Sequence, residues 1–281
     1  MSATTDAPSV TPPGAARAVT PVGVLAARLA DLVARCPAAA DAEFADDLRA
    51  TYELAVGVEP YAAQCTTPES AALRELAEAT ATHDWAGHDP HAGRAPLEQE
   101  MLSGHVEGQL LKTLVHATRS RRVLDIGMFT GYSALAVAEA LPPGGRVVSC
   151  EVDVEVAQFA RHHLYRSEAG RKIDVRVGPA DDTLHDLART GDVFDLVFLD
   201  ADKGGYLAYV DAVLRYGLLA RHGLLCVDNT LMQGLPWTDA TSTPNAAAIA
   251  AFNREIADDP RVEQVLLSVR DGVTLIRFAQ R

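Results

Sequence analysis

Residues 123–141 read VLDIGMFTGYSALAVAEAL. A run of strand length, apolar except for Asp125, meets Gly127 and Gly131 and then an alanine- and leucine-rich stretch. The run suits a strand, the glycines a tight turn, and the stretch behind them a helix. Strand, glycine turn and helix together open a parallel α/β unit.

The same alternation continues to the C-terminal region. Helix 103–118 precedes strand 123–127, followed by helix 131–141, strand 146–152, helix 153–166, strand 172–177 and helix 181–189. Strand 194–200, helix 204–216, strand 223–229 and helix 243–258 complete it. VEQVLLSV (262–269) and GVTLIRF (272–278) then follow with only Arg270 and Asp271 between them, ahead of Gly272, which is a hairpin signal. The predicted fold is α/β: a Rossmann-like, seven-stranded, mostly parallel sheet with an antiparallel C-terminal hairpin strand, plus N-terminal helices.

Residues 1–20, rich in Pro, Ser, Thr and Ala, read as a flexible tail. Residues 21–97 form a helical extension, with helices at 22–35, 40–57 and 68–83, the last capped by Thr67 with Pro68 behind it. Residues 98–281 are the α/β domain. His83, His88 and His91 lie in or near the polar loop 87–96, but their spacing fits no zinc pattern and they read as surface histidines.

The net charge of −13 argues against a nucleic-acid partner, which needs clustered Lys and Arg, and against docking on anionic lipid. No stretch approaches the roughly 18 apolar residues of a membrane span. The four cysteines are widely spaced, and Cys150 and Cys226 sit inside apolar runs, as small buried hydrophobes of a reducing compartment do. A cytoplasmic location is expected.

The charged strand ends point to chemistry. Asp125 closes the first strand, and Glu151 stands twenty positions beyond Gly131, near the end of the second. An acid there commonly binds ribose hydroxyls. The glycines are spaced G-x-x-x-G, so neither the dinucleotide fingerprint nor the phosphate loop is present. An acid in place of a pyrophosphate cradle suits a ligand that is positive at that point, such as S-adenosylmethionine. FDLVFLDADKGGY (194–206) ends its strand on Asp200, Asp202 and Lys203, and the next strand ends on Asp228 and Asn229. Taken singly, these are a helix cap, a solvated charge and a turn former. Together they are hard oxygen donors for Mg²⁺, Mn²⁺ or Ca²⁺, with Lys203 one turn beyond Asp200 as the base for a substrate hydroxyl.

GMFTGYSALAVAEALP, FDLVFLDADKGGY and CVDNTLMQG resemble the cation-dependent O-methyltransferases of the caffeoyl-CoA and catechol type, over about residues 98–281. That resemblance implies that Ser103, Asp125, Gly127, Met128, Ser133, Glu151, Ala180 and Asp200 contact the methyl donor. It makes Asp200, Asp228 and Asn229 the metal ligands, Lys203 the catalytic base, and Tyr206, Met232 and Gln233 the substrate side. It also implies a homodimer acting on a small molecule. ELAVGVEPYAAQCTTPES, LEQEMLSGHVEGQ and DDPRVEQVLLSVRDGVTLIR extend the likeness to the O-methyltransferases of mycosporine biosynthesis, which methylate a small cyclohexenone with adjacent oxygens. Met232 stands where plant-type members carry Trp, which removes an aromatic wall. A catechol or hydroxylated polyketide is the alternative substrate, and a catalytically silent donor-binding protein the alternative role.

Overall fold

The computed structural model describes residues 17–37, 40–88 and 96–280. Its strands are β1 (Arg122–Ile126), β2 (Arg146–Glu151), β3 (Ile173–Val177), β4 (Phe194–Leu199), β5 (Leu219–Val227), β6 (Val262–Leu267) and β7 (Val273–Phe278). They form one sheet in the order β3-β2-β1-β4-β5-β7-β6. The first five are parallel, and β7 runs antiparallel to both β5 and β6. The predicted α/β architecture is the observed one.

Alternation along the strands builds two cores. Val123, Leu196, Phe198 and Cys226 face one side, against α3 (Ala71–Thr82), α4 (His105–Thr118), α5 (Tyr132–Ala140) and α6 (Val154–Leu164). Leu124, Ile126, Val197, Leu199, Leu225 and Val227 face the other, against α7 (Ala180–Thr190), α8 (Tyr206–Arg215) and α10 (Pro244–Ala257). Phe198 and Leu199 are both buried, on opposite faces. Each such side chain contributes roughly 1.5–3 kcal/mol. Covering both faces is what lets β4 be continuously apolar from Leu196 to Leu199, up to the crevice. Cys150 and Cys226 are buried and free, as expected, and burial pushes the Cys150 thiol up to about 12.

The N-terminal helices differ in their bounds from the sequence reading. α1 (Pro21–Ala34) packs antiparallel-hairpin fashion on α2 (Ala42–Gln64), which runs well past the predicted end at 57 and through Pro60. Pro60 is exposed, so water can serve the carbonyl one turn back that loses its partner. The cap of α3 is Ser70, not Thr67: its hydroxyl accepts from Leu73 N–H at 3.1 Å and donates to Glu139, which fixes the start. Of the predicted tail 1–20, residues 1–16 lie outside the described residues. Arg17 pairs with Glu98, and buried Thr20 caps α1 and donates to Glu59. α1 also touches the turn Met232–Gly234, which leads into the short α9 (Leu235–Thr238).

One close approach fixes the centre of the sheet. Gly127 has φ +93°, and a Cβ there would lie 2.0 Å from the Asp200 carbonyl oxygen. Gly191 also has positive φ, +71°, but nothing lies within 4 Å of its Cβ direction. Gly127→Ala is therefore expected to destabilise the fold by about 3 kcal/mol or more, and Gly191→Ala by only about 1 kcal/mol. Paired urea melts measure the difference; equal losses would mean that the Asp200 contact is not limiting.

Candidate active site

The strand order reverses between β1 and β4, so the loops leaving these strands diverge and open a crevice at their carboxyl ends. Two backbone hydrogen bonds set its floor. Asp200 N–H donates to Ile126 O at 2.9 Å, and Asp228 N–H to Leu199 O at 3.0 Å. The ladder thus continues one residue beyond β4 and β5 and brings both acids to the same rim.

On the β1–β2 side, Asp125 is buried and accepts from the hydroxyls of Ser133, at 3.2 Å, and Ser149. Burial nonetheless pushes its carboxyl up to about 7, with the Asp200 and Glu151 carboxylates acting in the same direction. A ligand ammonium beside it would favour the charged form. Glu151 is held from behind: Oε2 accepts from Phe129 N–H at 2.8 Å and Oε1 from Asp153 N–H at 2.9 Å. Each oxygen keeps acceptor capacity, the arrangement two neighbouring hydroxyls need. The amides of Gly127 and Met128 both reach Cys150 O, at 3.2 and 2.9 Å, which curls the turn over β2. Ser103 is buried just ahead of α4, and Ala180 is the first residue of α7.

An aromatic group that the sequence reading missed closes this side. Trp85 packs on Phe129 at 4.9 Å between ring centroids and on Phe159 at 5.5 Å. His88, expected at the surface, has its side chain buried instead. Its Nε2 lies 2.8 Å from Asp153 Oδ2 and its Nδ1 3.3 Å from Glu155 Oε2, and these carboxylates supply the partners that burial requires. His83 is exposed, and His91 lies outside the described residues.

On the β4–β5 side, Lys203 is the hub. Its Nζ donates to Asp200 Oδ1 at 2.6 Å, Asn229 Oδ1 at 2.6 Å and Tyr206 Oη at 2.8 Å, which uses all three ammonium donors. Two of the predicted oxygen donors therefore converge on one positive charge through short, charge-assisted hydrogen bonds. Asp228 is turned slightly aside: its Oδ1 accepts from Asn229 N–H at 2.6 Å, and burial pushes its carboxyl up to about 6, with Asp200 adding to the rise. Tyr206, expected to face the substrate, is fully buried; its hydroxyl takes the Lys203 proton donor and reaches Asp228 O at 3.1 Å, so it supports the hub from beneath. Met232 and Gln233 have φ of +42° and +57°, and Gln233 N–H is tied to Asp271 Oδ1 at 2.5 Å.

Glu107 completes the wall and was not singled out from sequence. It is buried on α4, and Oε1 accepts no hydrogen bond among the described residues. Its carboxyl meets that of Asp228. Burial, followed by the Asp228 and Asp200 carboxylates, holds its pKa well above the usual range against the lowering by Arg270. The signal was present: Glu107 lies on the same helical stripe as buried Leu111 and Val115, at intervals of four. Two buried carboxyls in contact need a proton or a cation between them. Among the described residues no group of three His, Cys, Asp or Glu is arranged to hold a metal. The set here is Asp200, Asp228 and the Asn229 amide, all oxygen, which fits a hard divalent ion and not zinc. Grooves of about 570 and 720 Å³ lie elsewhere, between α8 and the end of α10 and at the amino ends of β1–β3, and contain none of these residues.

Comparison with known proteins agrees with this geometry. The family model described as O-methyltransferase matches residues 64–279. The chain is 33% identical over 223 residues to caffeoyl-CoA O-methyltransferase of Petroselinum crispum, covering 74% of this chain and 84% of that one. It is 37% identical over 179 residues to probable caffeoyl-CoA O-methyltransferase 2 of Dictyostelium discoideum, 63% of this chain and 77% of that one. Among solved structures, the SAH-bound methyltransferase PaMTH1 of Podospora anserina superposes with a TM-score of 0.69 at 29% identity, covering 81% of this chain and 96% of that one. The O-methyltransferase TomG of Streptomyces achromogenes, in complex with SAM, gives 0.65 at 27% identity over 80% and 96%. The chain belongs to the O-methyltransferase family and is an enzyme that transfers a methyl group to oxygen.

Proposed function

We propose that the protein transfers the methyl group of S-adenosylmethionine to one of two adjacent oxygens of a small ring, with a divalent cation, preferably Mg²⁺, at Asp200, Asp228 and Asn229. The observation that carries this reading is the Lys203 ammonium held by Asp200 Oδ1 and Asn229 Oδ1, one strand away from Asp125. When bound, the donor supplies an electrophilic methyl carbon and the cation supplies positive charge that lowers the pKa of the neighbouring hydroxyl.

The chain's own residues do the rest. Asp125 and Glu151 orient the donor from the β1–β2 side, with Ser103, Gly127, Met128, Ser133 and Ala180 around it. Asp200 belongs to both halves and sets the distance between them, which is the main requirement of a methyl transfer in line. Lys203, once released from Asp200 and Asn229 and having given one ammonium proton to solvent, takes the hydroxyl proton on Nζ as the neutral amine. Met232 and Gln233 form the substrate wall. The physiological form is a homodimer working in the reducing cytoplasm.

The substrate we favour is demethyl-4-deoxygadusol, converted to 4-deoxygadusol in mycosporine biosynthesis. The stretches at 53–70, 97–109 and 258–277 support it, and so does a wall of Met232 and Gln233 in place of an indole. A catechol is the second reading, favoured by similarity to proteins named caffeoyl-CoA O-methyltransferases. Specificity constants for the cyclohexenone and for catechol decide between them, and rapid methylation of catechol alone would end the first.

Chelation of the purified enzyme is expected to abolish methyl transfer, with recovery on adding Mg²⁺, Mn²⁺ or Ca²⁺; undiminished turnover in excess chelator would overturn the cation. Lys203→Ala should lower kcat by about 10²-fold or more while donor binding, measured calorimetrically with S-adenosylhomocysteine, persists. Glu107→Gln removes a charge against Asp228 and keeps the shape. It should weaken Mn²⁺ binding, read by electron paramagnetic resonance, and an unchanged affinity would leave Glu107 only a packing role.

A further inference from the structure

Arg270 occupies the turn between β6 and β7 with φ +49°, a conformation that favours glycine and strains a long side chain. The turn is closed by Gly272 N–H to Val269 O at 2.8 Å, which involves no Arg270 side-chain atom. What Arg270 adds is a cation that reaches over the carboxyl ends of the strands. Its guanidinium lies beside Gly104, with Nη2 3.4 Å from Leu102 O and Nε 3.6 Å from Glu107 Oε2. Both contacts are long, the second beyond hydrogen-bond range, and the side chain keeps 31% of its surface open. Five N–H donors in a planar fork are thus scarcely used, next to the carboxyl that meets Asp228. A guanidinium so placed matches a carboxylate or enolate far better than a neutral ring edge.

We propose that Arg270 is a specificity-determining residue whose guanidinium takes a negatively charged oxygen of the substrate, beyond the adjacent pair held at Asp200, Asp228 and Asn229. The substrate class is therefore an anionic, polyoxygenated small ring. This inference rests on the function proposed above.

Catechol, 2,3-dihydroxybenzoate and 3,4-dihydroxybenzoate share one oxygen pair and differ in a carboxylate, so they separate the two ideas. With wild type, Arg270→Gly and Arg270→Lys, two quantities are measured for each compound: kcat/KM, and calorimetric affinity for protein loaded with Mg²⁺ and S-adenosylhomocysteine. Wild type is expected to favour at least one dihydroxybenzoate over catechol by about 10-fold or more, chiefly through KM. Arg270→Gly should bring that ratio close to one, and Arg270→Lys should keep part of it. The glycine suits the positive φ, so its melting temperature should equal or exceed that of wild type. The inference is overturned by a wild type without carboxylate preference, or by Arg270→Gly lowering all three compounds equally, the mark of a structural tether. Preferential binding without turnover of any compound would refute the reaction and leave Arg270's role standing.

Discussion

The structure depends on the continuation of the parallel ladder past the ends of β4 and β5. Asp200 N–H bonded to Ile126 O, and Asp228 N–H bonded to Leu199 O, place two acids at defined heights beside the turn that follows β1. The turn can lie so close only because residue 127 has no side chain. Backbone hydrogen bonds in a sheet covered on both faces are stiff, so the rim inherits the rigidity of the core. A site that must hold a nucleophilic oxygen in line with a methyl carbon needs that rigidity more than it needs any one strong contact.

The crevice is crowded with acids, and their arrangement divides the labour. Asp125 and Glu151 are held by hydroxyls and backbone amides, respectively, and are prepared for a ligand that brings positive charge and neighbouring hydroxyls. Asp200 and Glu107 have no such amide or serine backing among the described residues, Asp228 has the Asn229 amide alone, and the three lie near Lys203 and Arg270 instead. Burial raises Asp125, Glu107 and Asp228 alike, and a positive charge bound beside them would favour their ionised forms. Fold stability is given up locally for binding, as is common where like charges are gathered.

Much of this was legible in the sequence because it is written locally. The strand ends carrying Asp125, Asp200, Asp228 and Asn229 interrupt apolar runs, and an interruption is visible without knowing what packs against it. The Lys203 spacing from Asp200 is also local. The start of α3 and the length of α2 were misread because Ser70 is selected by Glu139, 69 positions away, and because solvent tolerates Pro60. The resemblance puts Tyr206 on the substrate side, and what no local pattern reports is that the first turn of α8 sets its ring under Lys203 and against Phe252. Trp85 belongs to the site through Phe129, 44 positions on, and no periodicity reports such a pairing.

Glu107 and Arg270 show the same limit most clearly. Each looks ordinary in sequence, one an acid near a helix start and the other a residue in a hairpin turn. Their chemistry arises only when α4 is laid across the sheet and β7 is inserted between β5 and β6, which brings residues 163 positions apart to the same rim. Because β7 rather than β6 adjoins β5, the β6–β7 turn emerges beside Thr230 and Leu231, whose amides bond to Gly272 O and Asp271 O at 3.0 and 2.8 Å. That seam carries the strain of four non-glycine residues with positive φ: Asn229, Met232, Gln233 and Arg270. Strain of this kind persists only where surrounding contacts over-determine it; on the β1–β2 side it falls on Phe129, with φ +51° and its amide tied to Glu151, whereas on the β4–β5 side it is spread over these four residues. The proposed donor half is one tight turn, Gly127 to Gly131, locked against β2 and Asp200, whereas the proposed substrate half is a longer irregular seam drawn from two separate loops, the place where side chains can differ while the central turn stays fixed.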